Sequence, residues 1–147
     1  MEPLHYWLMK THTMFHREVM AETARFGLTA GQPKVLECLA KFGERDQKSI
    51  AAYCEIEQAT AGSIITRMEE GGLVARRQKP GNRRSLYVSL TPAGQAAAQS
   101  VLQVFESIEA RALRGIPKSE ASQLVYLLQT LCDNMAGPAQ ATRGASR

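Results

Sequence analysis

Between positions 76 and 84 the chain carries five cations: Arg76, Arg77, Lys79, Arg83 and Arg84. Cations that close repel one another unless an anion balances them. An array of phosphates would do so, because each phosphate neutralised releases counterions and that release drives binding. A merely solvated basic loop is the alternative. Upstream, Gln58, Thr60, Ser63 and Arg67 are short donors and acceptors plus one cation, types that suit base edges and phosphates. Ala59, Gly62 and Thr66 between them are small enough for close approach. Here the alternative is an ordinary surface helix, whose outer side is polar as a rule. Lys48 adds one more candidate phosphate contact.

Two elements must hold these side chains. Ala61, Ile65, Met68 and Gly72, with Ile64 beside them, recur at spacings of four and three, which predicts a helix with one apolar stripe. Leu73 to Arg77 predicts a strand. Leu86, Val88 and Leu90 alternate with Tyr87 and Ser89, the pattern of a half-buried return strand. Pro80-Gly81-Asn82 supplies the turn between them. A helix beside a basic-tipped hairpin is the layout of a winged helix-turn-helix, in which the helix enters the major groove of DNA and the hairpin reaches the neighbouring backbone or minor groove.

The flanking sequence fits that layout. Thr29-x-x-Gln32 is a capping-box pattern opening a helix, and Pro33 sits in its first turn. Val35, Leu36, Leu39 and Phe42 form its buried side, and Gly43 stops it. Asp46 is an N-cap for a short helix from Gln47 to Cys54, with Ile50, Ala51 and Cys54 turned inward. Glu55-Ile56-Glu57 is then the turn before the reading helix. Earlier, Leu4, Leu8, Thr11, Phe15 and Val19, with Trp7 and Met14 on the shoulders, predict a helix over Leu4 to Phe26 that Gly27 ends. Later, Thr91-Pro92 opens a helix to about Leu113, with Val101, Phe105, Ile108 and Ala112 as its stripe. Gly115-Ile116-Pro117 breaks it. A last helix carries Leu124, Leu127, Leu128, Leu131 and Met135 at heptad-like spacing. That is more apolar helix surface than one small core requires, and it reads as a two-fold interface or, alternatively, as a monomeric helical cap. Residues 136–147 are small and polar without period, so a disordered tail is expected there.

The run GGLVARRQKPGNRRSLYVSLTPAG resembles the wing of MarR-type regulators, where GLV-x-R, a D-R-R run and a V-x-L-T stretch recur. The run from Leu28 to Val74 resembles the family's three-helix reader. Together the resemblance covers nearly all of Leu4 to Met135. It implies a mainly α (α+β) winged helix-turn-helix with N- and C-terminal dimerisation helices. The expected organisation is one domain over residues 1–135, its DNA-binding part at about 29–90 and its dimerisation helices at about 4–26 and 91–135. It further implies a homodimeric, cytoplasmic, sequence-specific regulator, in the first instance a repressor, on double-stranded pseudo-palindromic DNA. In that role Gln58, Thr60 and Ser63 would read or position, and Lys48, Arg67, Arg76 and Lys79 would meet the backbone. Arg83 and Arg84 would hold the wing in or beside the minor groove. One departure stands out. Asn82 occupies the wing position where the family usually has an Asp that pairs with a nearby Arg, so the tip here is more positive. Family members are often released by small aromatic or phenolic compounds. Tyr6, Met9, His16 and Phe105 are the candidate pocket walls, on apolarity and position.

Other classes are less well served. His5, Met9, His12 and His16 share a helical stripe, which is either a metal edge or a polar boundary or pocket wall. No metal or other cofactor is expected, since the fifth helix supplies no His. Cys38, Cys54 and Cys132 form neither a disulfide framework nor a CxxC pair. Cys38 and Cys54 fall where small apolar residues pack. Peroxide-sensing relatives use a first-helix Cys, and none occurs between Met1 and Glu37. A metal- or redox-responsive regulator of the same fold is thus the alternative switch, with Cys132 or the histidines as its seat. No nucleophile elbow, phosphate-cradling glycine loop or metalloprotease motif points to an enzyme. A winged helix that docks protein without touching DNA would have a more apolar or mixed wing. The 147 residues suit one domain, and the net charge of +4 suits an anionic partner. No apolar run approaches the roughly 20 residues that span a bilayer, and no signal peptide is evident.

Overall fold

The computed structural model describes residues 1–137, except for the side chains of Asn82 and Arg83. The chain divides into two compact units, Met1–Ile108 and Glu109–Arg147. The first unit opens with α1 (Leu4–Thr23), prolonged by a 3-10 turn (Ala24–Phe26) that ends at Gly27, φ 79°. Glycine takes that left-handed position at no steric cost, so the expected stop is where it should be. Of α1 only Val19 and Thr23 are buried. The Thr23 hydroxyl donates to the Val19 carbonyl at 2.7 Å and is thereby satisfied. Phe15 is half-buried, and the other apolar side chains expected to face a core, Leu4, Trp7, Leu8 and Met14, stay in solvent.

Helix α2 (Gln32–Phe42) begins later than a capping box at Thr29 requires. Half of the box forms: Gln32 Oε1 accepts from the Thr29 amide at 3.1 Å. The N-cap itself is Gly31, at φ 85° and so close to Ile64 that a Cβ would overlap it. Gly43 ends α2 at φ 75°. A two-residue strand β1 (Arg45–Asp46) follows, then α3 (Gln47–Cys54), whose N-cap Asp46 accepts from the Ser49 amide at 2.7 Å. Helix α4 (Gln58–Glu70), β2 (Val74–Lys79), β3 (Asn82–Leu90) and α5 (Pro92–Ala112) follow, and α5 carries the chain past Ile108 into the second unit. Thr91 caps α5: its Oγ1 accepts from the Gly94 amide at 3.0 Å and donates to the Gly72 carbonyl at 2.6 Å.

The sheet is antiparallel in the order β1-β3-β2. Val35, Leu36 and Leu39 of α2, Ile50 and Ala51 of α3, Ala61, Ile65 and Met68 of α4, Val74 and Val88 of the hairpin, and Ala98 and Val101 of α5 form one buried cluster. Fully burying a side chain the size of Ile65 or Leu36 contributes about 1.5–3 kcal/mol. Three expectations need correction. Gly72 is not on the α4 stripe but in the exposed turn beyond it, at φ 77°. Leu86 and Ala112 are exposed, because the hairpin and α5 run past the core at those points. Ala136 completes α6 (Lys118–Ala136) rather than opening a tail. The rest of the predicted tail, residues 138–147, lies outside the described residues. In the second unit no residue of α6 is buried, and Leu124, Leu127, Leu128 and Met135 are all exposed. No helix among the described residues is long and apolar enough to cross a membrane.

Candidate nucleic-acid interface

Helix α4 buries one side and leaves the other free. Ala61, Ile65 and Met68 are fully buried, each 0% exposed, while Thr60, Ser63 and Arg67 are exposed. The latter three follow one another at three- and four-residue steps and share a face. Gln58 is exposed in the first turn but, by helical rotation, points away from that face. Ser63 Oγ donates to the Ala59 carbonyl at 3.2 Å, which leaves its lone pairs free to accept. Lys48 is exposed at the start of α3. Helix α3 packs against α4, and a Cβ at residue 62 would meet Gln47 Nε2, the end of a flexible side chain, at 3.0 Å.

The wing is fastened to this pair by Arg76. Strand alternation turns Val74 and Arg76 toward the helices and Ala75 and Arg77 away. Arg76 Nη2 donates to Thr66 Oγ1 at 2.8 Å and to Glu69 Oε1 at 3.4 Å, and Nη1 donates to Gln47 Oε1 at 3.4 Å. The Arg76 amide donates to Glu69 Oε2 at 3.0 Å. One guanidinium thus joins α3, α4 and β2. On the other face, Arg77 Nε and Nη2 donate to Glu44 Oε2 and Oε1 at 2.9 and 2.8 Å. Lys79 Nζ lies 3.5 Å from Glu44 Oε1 and 4.2 Å from the Tyr87 ring centroid. The hydrogen bond from Arg77 holds the Glu44 carboxyl below its ordinary pKa, and the same bond raises that of Arg77.

The five hairpin cations are therefore not all short of an anion. Glu69 serves Arg76, and Glu44 serves Arg77 and Lys79. Arg84 is exposed and has no polar partner among the described residues. The Arg83 side chain and that of Asn82 lie outside the described residues, so the expected roles there have no structural counterpart. Sequence reasoning missed Glu44, Gln47 and Glu69, the residues that fix the wing. It also missed two carboxylates beside the reader: Glu55 and Glu57 line a shallow recess of about 390 Å³ with Ala51, Ala52, Ile56 and Thr60. Negative charge at that edge disfavours phosphate and favours amino-group donors.

The other candidate residues lie elsewhere. Tyr6 is half-buried on α1 with its ring edge-on to Trp7 at 5.4 Å, whereas Met9 and His16 are exposed. Phe105, half-buried on α5, packs on the core with Lys34 Nζ 4.9 Å from its ring centroid. No hydrogen bond or ring contact among the described residues joins Phe105 to Tyr6, Met9 or His16. His12 and His16 stack at 6.1 Å, and His5 is exposed. Among the described residues no group of three or more His, Cys, Asp or Glu is placed to hold a metal. Burial pushes the Cys54 thiol up to about 11 and raises that of Cys38, which makes both poor thiolates at neutral pH. Cys132 is exposed.

Known proteins give the same picture. Residues 28–86 match the sequence profile of the MarR family. The chain is 32% identical over 109 residues to the homoprotocatechuate degradative operon repressor of Escherichia coli, covering 71% of each. It is 25% identical over 129 residues to an HTH-type transcriptional repressor of Mycobacterium tuberculosis, covering 88% of this chain and 93% of that one. Among solved structures, BpsR of Bordetella bronchiseptica, whose DNA binding is regulated by 6-hydroxynicotinic acid, superposes with a TM-score of 0.80 at 27% identity. The match covers 90% of this chain and all of that one.

Proposed function

The chain belongs to the MarR family and is a DNA-binding transcription regulator; on that premise we propose that it is a homodimeric repressor of a pseudo-palindromic operator, released by a small aromatic acid. The observation that carries the DNA-binding part is one exposed α4 face, Thr60, Ser63 and Arg67, held to the wing by the Arg76 bonds. In this reading Thr60 and Ser63 meet base edges, and Gln58 positions the first turn. Lys48 and Arg67 meet phosphates, Lys79 does so in competition with Glu44, Arg83 and Arg84 carry the wing tip to the minor groove, and Arg76 acts by holding the wing at a fixed angle. Two copies would set their α4 helices about one helical turn apart on the duplex. The test is selection of bound duplexes from a random pool, which is expected to return an inverted repeat with that spacing; selection of no common sequence would sink the reading. Arg84→Ala is expected to weaken binding to the selected duplex and to lower the salt slope by about 0.9. Equal affinity and slope would remove Arg84 from the interface.

The effector part rests on the chemistry of relatives. One represses a homoprotocatechuate degradative operon, and another has its DNA binding regulated by 6-hydroxynicotinic acid. Tyr6, Met9, His16 and Phe105 offer aromatic, thioether and imidazole groups for such a ligand. A ligand that binds one spacing of the two readers better than the other shifts the population toward it. Thermal-shift screening of hydroxylated aromatic acids should find one that both raises Tm and releases DNA. Stabilisation without release would separate binding from switching.

A further inference from the structure

We propose that Glu44 is a further determinant of DNA binding, an internal phosphate mimic that occupies Arg77 and Lys79 and thereby limits how many phosphates the wing neutralises. The inference rests on the DNA-binding reading above and adds a residue that no wing motif contains.

The backbone builds the arrangement. Gly43, at φ 75°, ends α2 and turns the chain into β1. In the sheet Asp46 pairs with Tyr87, and Tyr87 pairs with Arg77 on its other side. Asp46, Tyr87 and Arg77 thus form one row across three strands. Glu44 stands just before β1, and Lys79 ends β2 past a register shift after Gln78; both side chains meet beside Arg77. The contact then takes the form a phosphate would take. Both carboxylate oxygens fill the guanidinium fork, at 2.9 and 2.8 Å. A carboxylate and a phosphate bind arginine in this same bidentate way. Oε1 also receives Lys79 at 3.5 Å, and the Tyr87 ring holds that ammonium in place.

Exposure says what the cluster is for. The side chains of Arg77 and Lys79 are 59% and 44% exposed, against 18% for Arg76. Exposed ion pairs add little to stability. What this one changes is the charge shown to a polyanion: two cations and one anion present a net of one. Counterions leave the duplex only as its phosphates are neutralised, and a cluster with a net charge of one neutralises fewer of them than two free cations would. Sequence-independent affinity is made of such contacts, so Glu44 sets its level and its salt dependence.

The experiment measures fluorescence anisotropy of a random-sequence 30-bp duplex against salt, with full-length protein. Glu44→Gln, near-isosteric and on the surface, is expected to steepen the log K against log [salt] slope by about 0.9 per phosphate gained and to tighten binding about three- to tenfold at low salt. Glu44→Gln combined with Arg77→Gln should bring the slope back toward the wild-type value. Glu44→Asp, which keeps the charge, should retain the wild-type slope. Equal slopes and affinities for wild type and Glu44→Gln would overturn the proposal, and weaker binding would too, since it would make Glu44 a support for the wing. A change as large in Glu44→Asp as in Glu44→Gln would assign the effect to geometry rather than charge, and also overturn it. If neither wild type nor variant bound the duplex at low salt, the DNA-binding reading would fail first and take this proposal with it.

Discussion

Asp46 shows how one side chain acts in a purely local way. Its carboxylate accepts from the Ser49 amide at 2.7 Å and stabilises the first turn of α3. Asp46→Ala is expected to cost about 1 kcal/mol, read as a lower midpoint in urea, while Asp46→Asn should keep most of the cap. Hydrogen bonding from the Ser49 side chain, and then from its amide, depresses the Asp46 pKa below its ordinary 3.8. A depressed folded pKa means that the contribution is present above 3.8 and is lost as pH falls through the lower folded value. Wild type should therefore lose stability on acidification over that interval, and Asp46→Asn should lose less; parallel curves would sever the link. The cap was legible in sequence because donor and acceptor are three residues apart. The Arg76 and Arg77 contacts were not, because their partners Gln47 and Glu44 stand 29 and 33 residues away. Counting hairpin cations without Glu44 and Glu69 overstated the charge left for DNA.

At the level of elements, periodicity served where a segment was long enough to have a period. Helices α1 through α6 and the β2–β3 hairpin were readable on that ground. Strand β1, two residues long, has no period to read, and only its pairing with Val88 and Tyr87 makes it a strand. The turn at Glu55 was expected but its backbone was not: a non-glycine residue at φ 56° ends α3, in a region where a Cβ is crowded. Close approaches were also invisible, and Gly94 is the sharpest case. It lies in the first turn of α5, buried, where a Cβ would overlap the Leu73 carbonyl and meet Leu90 Cδ2 at 3.2 Å. That carbonyl accepts from the Thr91 amide at 3.1 Å and so ties the root of the wing to α5. In an open helix Gly→Ala stabilises by roughly 1 kcal/mol. Here Gly94→Ala is expected to destabilise by about 1–3 kcal/mol, the range for overpacking that moves backbone. Differential scanning calorimetry gives the sign, and a raised Tm would mean that the wing root yields without cost.

For the molecule as a whole, the question is what covers its bare helices. Leu4, Trp7, Leu8 and Met14 on α1 and Leu124, Leu127, Leu128 and Met135 on α6 are all exposed in the single chain. Scattered apolar side chains on a surface need no cause, but contiguous ones on two whole helices do. Association costs on the order of 4–15 kcal/mol in lost freedom. Each Leu buried returns roughly 1.5–3 kcal/mol, so a handful on each copy is enough to reach a stable dimer. The double substitution Leu124→Glu with Leu128→Glu puts two carboxylates on one face of α6. It is expected to give monomers by sedimentation equilibrium and to abolish the dependence of Tm on protein concentration. Each monomer keeps its reading face, so weak, salt-sensitive binding to any duplex should persist. Binding to a two-half-site duplex should fall by about 10²–10⁴, the advantage that linking two contacts confers. A variant that stayed dimeric would place the interface elsewhere. A monomer that still bound the inverted repeat at full strength would show that symmetry is not what gives this regulator its grip.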